Sequence, residues 1–322
     1  QAPTTLRLGA SYARVAAMTR PHAFCGMPLS RNESLRRDAE AIARLREHPG
    51  SRVLVVWRDH HLITDSAAPA ATWHQGDEGR DLLANAEHWV LLGEGNGIAH
   101  FAVDISHLDE PLFADRGKFL DLRTMTALLS TDDGAVMAYA RGLLHWHRRH
   151  RFCGACGSLS ESASGGHVRR CTSSDCAIDQ FPRTDPAIIV LVSHGDLCLL
   201  GRQRVWPKGM YSTLAGFVET GESLEEAVAR EVYEESGVTI EAPTYHSSQP
   251  WPFPGSIMLG FHARAQDTTL NVDTDELETA SWFRRNQLLA SPENSEFRLP
   301  RRGSIARRLI EEWLSDDWLS YR

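Results

Sequence analysis

Four glutamates in one short stretch have the types and the spacing to hold a divalent cation against a phosphate. Glu222, Glu231, Glu234 and Glu235 fall within residues 216–238, GFVETGESLEEAVAREVYEESGV. Residues 223–236 read as one amphipathic helix, because Leu224, Ala227, Val228 and Val232 recur at helical spacing. Glu231 and Glu235 are four apart and share a face, where like charges repel by a few tenths of a kcal/mol. Carboxylates in the last turns also meet the negative end of the helix dipole. A divalent cation reverses both penalties, and Mg²⁺ is commonly held by a few carboxylates together with substrate phosphate oxygens. The competing reading is a solvated acidic helix with Arg230 and Glu234 as an i,i+4 pair. Gly216 and Gly221 bracket a tight loop before the helix, and Gly237 stands where a left-handed cap is wanted.

Two further clusters carry chemistry. Cys153 and Cys156, then Cys171 and Cys176, form a C-x2-C and a wider C-x4-C knuckle, the spacing of a tetrahedral zinc ribbon. Four thiolates leave no open position, which makes the zinc structural. A nucleic-acid-binding ribbon ranks lower, since few basic residues lie between the pairs. Farther on, residues 248–256 read SQPWPFPGS. Three alternating prolines exclude a central strand. They either present Trp251 and Phe253 on a stiff extended segment to a flat ring such as nicotinamide or adenine, or brace a loop that packs both rings into the core.

The spacing G-x5-E-x7-R-E-V-x-E-E-x-G-V from Gly216 resembles the Nudix box at nine specified positions. With the cysteine ribbon and PRTDP (182–186) before it and SQPWPFP after it, the chain resembles the NADH pyrophosphatase subfamily of Nudix hydrolases from about residue 152 onward. The resemblance implies hydrolysis of NADH or NAD⁺ to nicotinamide mononucleotide and AMP, removal of NAD caps from RNA 5′ ends, Mg²⁺ or Mn²⁺ at the box, structural Zn²⁺, and a homodimer. It implies that Glu231, Glu234 and Glu235 hold the metals, that Glu222 supports them, that Arg230 is mainly structural, and that Glu276 rather than Glu278 adds a ligand. On the substrate side it implies the loop Gln249, Pro250, Trp251, Pro252, Phe253, Pro254, Gly255 and Ser256. Ala215, Phe217 and Ala306 are implied as lining positions, and so is Phe181, where the family often has a tyrosine hydroxyl. The rival functions are a Nudix hydrolase for other nucleoside diphosphate derivatives and a non-catalytic nucleotide-binding regulator.

These residues need elements to position them, and 322 residues suffice for two or more cores. The expected fold is mixed α+β and α/β: an N-terminal α+β domain (1–133), a linker helix and zinc ribbon (134–181), and a C-terminal Nudix α/β/α sandwich (182–322). Helices are expected at 32–45, 134–150 and 304–314. Strands are expected at 52–57, 88–92, 98–105, 187–192 and 197–200, and the largely polar 59–80 reads as loop. His60 and His61 read as surface or hydrogen-bonded residues, Cys25 as inert and Cys198 as a core residue. The cations Arg148, Arg149 and Arg151 complement a helix C-terminus or form a phosphate patch. Arg301, Arg302, Arg307 and Arg308 either pair with Glu311 and Glu312 or meet RNA phosphates. A net charge of −8 argues against general nucleic-acid binding. No apolar run reaches membrane-spanning length, the opening QAPTTLRLGASYARV lacks a signal-peptide core, and the closing SYR is not a peroxisomal tripeptide. Together with cysteines in a metal-binding pattern, this points to a cytoplasmic location.

Overall fold

Val53, Leu54, Val55 and Val56 form an unbroken apolar run, the pattern of a strand buried on both faces. The computed structural model, which describes residues 21–241 and 243–315, places this run in the middle of a sheet. The opening and closing stretches read above lie outside those residues. Among the described residues no helix is long and apolar enough to cross a membrane.

The chain divides into two compact units, Gln1–Arg183 with Trp251–Gly255, and Thr184–Pro250 with Ser256–Arg322. The first unit begins with helices α1 (Glu33–Arg37) and α2 (Ala39–Glu47). One helix was expected here. It breaks at Asp38, whose side chain accepts from Ala41 N–H and so caps the second helix. Strands β1 (Arg52–Trp57), β2 (His60–Ile63) and β3 (Trp73–His74), helix α3 (Gly76–Asn85), and strands β4 (His88–Gly95), β5 (Ile98–Asp104) and β6 (Lys118–Asp121) follow. The short helix α4 (Leu122–Met125) and the long helix α5 (Thr131–Arg149) come next. The sheet runs β4-β5-β1-β2-β6, with β3 also paired to β1. Strand β1 is parallel to β5 and antiparallel to β2 and β3. Leu54 and Val56 face a core shared with Met137, Ala140 and Leu144 of α5. Val53 and Val55 face the opposite core, with Leu82 and Leu83 of α3. Helix α5, expected as a linker, is thus a core element of this unit.

Residues 59–80, expected as loop, contain β2, β3 and the start of α3. Arg58 and Asp59 both have positive φ (47° and 65°) and turn β1 directly into β2. His61 is 1% exposed, and neither ring nitrogen has a hydrogen-bond partner. Burial, assisted by the nearby Arg141 guanidinium, pushes its pKa down to about 3, so the imidazole is neutral. This corrects the expectation of a surface or hydrogen-bonded histidine. Asp59 accepts from the Arg141, His145 and Arg148 side chains. Against the upward push of burial, the His145 hydrogen bond and the two guanidiniums hold its carboxyl well below the usual range. Arg148 also pairs with buried Asp104, so this member of the α5 basic cluster is committed within the protein.

The ribbon is a three-stranded antiparallel sheet of β7 (Ser160–Ala163), β8 (Val168–Cys171) and β9 (Asp179–Gln180). It docks on α5 through a buried chain of polar contacts. His147 bonds Gly166 O through Nε2 at 2.8 Å, and its Nδ1 lies 3.0 Å from Arg169 Nη1. A guanidinium only donates, so His147 Nδ1 must accept and the ring must be neutral.

The second unit repeats the plan. Strands β10 (Asp185–His194), β11 (Leu197–Arg202) and β12 (Leu214–Phe217) precede helix α6 (Leu224–Ser236). Strands β13 (Thr244–Trp251), β14 (Ser256–Arg264) and β15 (Thr279–Arg284), then helices α7 (Arg285–Leu289) and α8 (Ile305–Ser315), complete it. The order is β13-β14-β10-β11-β15, with β12 also paired to β10. Strand β10 is parallel to β14 and antiparallel to β11 and β12. Ile188, Val190 and Val192 face Ala227, Val228 and Val232 of α6. Ile189 and Leu191 face Leu309, Ile310 and Trp313 of α8, with Cys198 buried beside them. This is the expected α/β/α sandwich, and the first unit has its sheet order strand for strand.

Burial lowers the pKa of His147 and of His167 to about 4 each. The unfolded chain, near 6.5, then binds the extra protons between those values. The stabilising contribution is complete above about pH 6.5 and is lost as pH falls toward 4. The urea midpoint should therefore drop between pH 6.5 and 5. His147→Gln, which keeps one donor and one acceptor, should flatten part of that drop; an unchanged profile would refute the assignment.

Candidate active site

Helix α6 begins with a capping box. The Ser223 side chain accepts from Glu226 N–H, and the Glu226 carboxylate accepts from Ser223 N–H. It ends at Gly237 with φ 73°, where a Cβ would come within 2.8 Å of Asn271 Cβ. Between these caps the buried stripe of Ala227, Val228 and Val232 fixes the helix on β10 and β12, and Glu231 and Glu235 emerge along that side.

Arg230 organises the carboxylates. Its Nε and Nη2 hold the two oxygens of Glu222 at 2.7 and 2.9 Å. Its Nη1 reaches Glu231 at 2.9 Å and Glu234 at 3.0 Å, and Nη2 also donates to Phe217 O at 2.9 Å. All five donors of the guanidinium thereby have acceptors. The Arg230 hydrogen bonds, with one from Glu219 N–H, pull Glu222 down to about 2.

Glu235 lies outside this arrangement. It is 4% exposed, and its Oε2 is buried without a hydrogen-bond partner. Burial first, then the charges of Glu231 and Glu276, push its pKa up to about 8, opposed by a hydrogen bond from Ala215 N–H. Burial also raises Glu231, with Glu276 and Glu234 adding to the effect against Arg230. Gly216 leaves room for this cluster, because a Cβ there would sit 1.9 Å from Glu231 Cδ. An orphaned buried oxygen on a carboxylate that the charges of Glu231 and Glu276 push upward fits a hard divalent cation. The charge of Glu276 acts on both Glu231 and Glu235, whereas Glu278 pairs with Arg202 at 2.6 Å.

The four ribbon thiols fit a different metal. Their sulfurs all lie within 4.8 Å of one another, and none is in a disulfide. The Cys153–Cys176 and Cys156–Cys171 separations are 3.8 and 3.4 Å, near the edge of about 3.8 Å for a tetrahedron with Zn–S bonds of about 2.3 Å. The soft thiolate set suits zinc.

The remaining predicted residues are divided. In the second unit, Ala215 and Phe217 lie on β12, with Phe217 59% exposed. Pro250 is exposed on edge strand β13, and Ser256 opens β14. Gln249 is fully buried; its amide donates to Gly303 O and accepts from Ile305 N–H, holding the start of α8, where Ala306 is buried. The other loop residues, Trp251 to Gly255, belong with Phe181 to the first unit. There the rings of Trp251 and Phe253 lie 6.2 and 5.7 Å from that of Phe24. Arg141 donates to Pro252 O at 2.7 Å and stands 5.0 Å over the Phe253 ring. Pro252 is buried, and Pro254 is exposed. These are the contacts of a braced loop, with both aromatic rings half-buried. Arg307 is paired to Glu293 and Glu311, and Arg308 to Glu312, in line with the salt-pairing alternative.

Comparison with known proteins fits this geometry. The NUDIX domain matches residues 182–302, the NADH pyrophosphatase zinc ribbon domain 148–181, and the NADH pyrophosphatase-like rudimentary NUDIX domain 50–146. The NAD-capped RNA hydrolase NudC of Stutzerimonas stutzeri is 42% identical over 239 residues, covering 73% of this chain and 82% of that protein. The chain belongs to the Nudix hydrolase family. Similar too are the human NAD-capped RNA hydrolase NUDT12, 40% identical over 73% of this chain, and the human mitochondrial NAD(P)H pyrophosphatase NUDT13, 37% identical over 71%. The chain spans 54% of the former and 68% of the latter, so about half the length of NUDT12. The first unit is accordingly a rudimentary Nudix fold, and its α3 occupies the place of the box helix α6.

Because one guanidinium orders the Nudix carboxylates through a fixed fork, lysine is not a substitute. Arg230→Lys should weaken Mn²⁺ binding at least about tenfold, the scale of lost outer-shell support, as measured by calorimetric titration, with zinc content unchanged. Wild-type affinity would count against the hub.

Proposed function

We propose that this chain hydrolyses the pyrophosphate bond of NADH and NAD⁺, adding water to give nicotinamide mononucleotide and AMP, and cleaves the same bond in the NAD cap of RNA. The observation that carries the reading is the Glu231, Glu235 and Glu276 group, in which Glu235 keeps a buried unpartnered oxygen and Gly216 leaves room for Glu231. The family membership supports the choice of a nucleoside diphosphate linkage as the bond broken.

Bound by Glu231, Glu234, Glu235 and Glu276, Mg²⁺ or Mn²⁺ would supply neutralisation of the phosphate oxygens and acidification of water. The chain's own part is positional. Arg230 holds Glu222, Glu231 and Glu234 in place, and Ala215 N–H orients Glu235. A carboxylate of the Glu234–Glu235 pair orients or deprotonates the attacking water. Phe217 offers an exposed ring at the end of β12. Zn²⁺ in the ribbon is structural, and a reducing, cytoplasmic compartment suits its thiols. The active form is a homodimer, which sedimentation would check.

Glu235→Gln keeps the shape but removes the charge. We expect turnover on NADH and on NAD-capped RNA to fall at least about a hundredfold, or about 2.7 kcal/mol in barrier, with a smaller change in KM. Product analysis with both substrates in competition, in Mg²⁺ or Mn²⁺, provides the test. Near wild-type turnover in the variant would sink the site. Intact activity on other nucleoside diphosphates alone would move the substrate class.

A further inference from the structure

The first unit contains a groove of about 690 Å³ between α1, α2, the start of β4 and the ribbon. That volume lies within the range of ligand clefts, roughly 300–1,000 Å³. Four arginines line it, Arg36, Arg37, Arg46 and Arg170, in a chain whose net charge is −8. The carboxylate in the lining, Asp179, is taken by Arg170 through two bonds of 2.7 and 2.9 Å. Arg37 pairs at the surface with Glu33. Among the described residues, Arg36 and Arg46 have no carboxylate partner. Arg36 donates to Tyr139 Oη and Arg46 to Leu83 O, and the Nε of each is buried without an acceptor. The Nη1 of each has no acceptor among the described residues and is the donor left for an anion. The groove also offers flat surfaces. The Arg46 guanidinium lies 4.5 Å over the Trp89 ring, which backs it, and Phe181 at the rim is 68% exposed. Guanidiniums interleaved with aromatic rings are the composition that tracks phosphates and stacks bases of a single strand.

We propose that this groove binds a single-stranded polynucleotide, with Arg36 and Arg46, the latter backed by Trp89, on phosphates and the exposed Phe181 ring against a base. The choice of a polynucleotide over another anion rests on the RNA reading of the proposed function; the anion site itself does not. The strand is held by charge and stacking, so recognition tolerates sequence but responds strongly to salt.

The test uses the full chain carrying Glu235→Gln and a fluorescein-labelled, uncapped oligoribonucleotide of about ten nucleotides, within the site size of single-strand binders. Anisotropy is followed across a salt series. Adding Arg36→Gln with Arg46→Gln should weaken binding about tenfold or more and reduce the salt slope by about 1.4, roughly 0.7 for each lost phosphate contact. The same pair in the otherwise wild-type chain should leave NADH hydrolysis within about twofold. Zinc content and thermal midpoint check folding, and Arg37→Glu, on an exposed side chain, carries the test should the double variant unfold. Unchanged affinity and slope would overturn the proposal, and so would AMP displacing the strand at equal nucleotide concentration. The probe has no cap and is not cleaved, so a failure of the hydrolase reading would leave this result standing.

Discussion

One guanidinium sets the character of the carboxylate site. Glutamates gathered on one face of a helix repel, and a protein ordinarily relieves this by letting them diverge into solvent. Here Arg230 lies among them and distributes five donors over Glu222, Glu231, Glu234 and the Phe217 carbonyl. It thereby divides the acids into two populations. Glu222, held twice, stays ionised down to about pH 2, whereas Glu235, beyond the fork and buried, is pushed up to about 8. The surrounding structure serves that division: β12 provides a carbonyl, a missing side chain at Gly216 and the Ala215 N–H, and α6 is pinned at both ends.

The duplicated sheet shows what folding alone requires. Both units place a buried strand parallel to one neighbour and antiparallel to two others, with a helix on either face. The first achieves this with α3, whose buried residues are Gly79, Leu82 and Leu83. A sandwich of this order therefore forms without an arginine fork and its carboxylates. The acid cluster of the second unit is an addition to the fold, and its mutual repulsion is the part that needs a chemical explanation.

The sequence made some features legible and concealed others for physical reasons. Helix α6 could be read because independent signals agreed: a serine cap, a 3.6-residue apolar stripe and a terminal glycine. The ribbon could be read because thiol spacing is constrained by a tetrahedron. Strand β2 was hidden because His60 and His61 look polar, although His61 is buried as a neutral ring. The break at Asp38 was hidden because the helical periodicity continues across it. The duplication was hidden because α3 carries no motif, and topology appears only when strands pair. The proline-rich loop was half legible. Its prolines exclude a central strand, and β13 is indeed at the edge. Which way Trp251 and Phe253 turn depends on Phe24, Arg123 and Arg141, partners remote in sequence.

That loop bears on how the protein is made. Trp251–Gly255 completes a unit whose other residues end at Arg183, so the ribosome must add roughly 70 further residues before Trp251 and Phe253 can cover the first core. At about 5–20 residues per second, the nascent unit waits about 4 to 14 s with Phe24 and the Arg141 side of α5 lacking their final cover. Domains commonly fold in order of synthesis. Here the earlier one is finished by a piece of the later one, so emergence of the chain and the covering of the first core are offset in time.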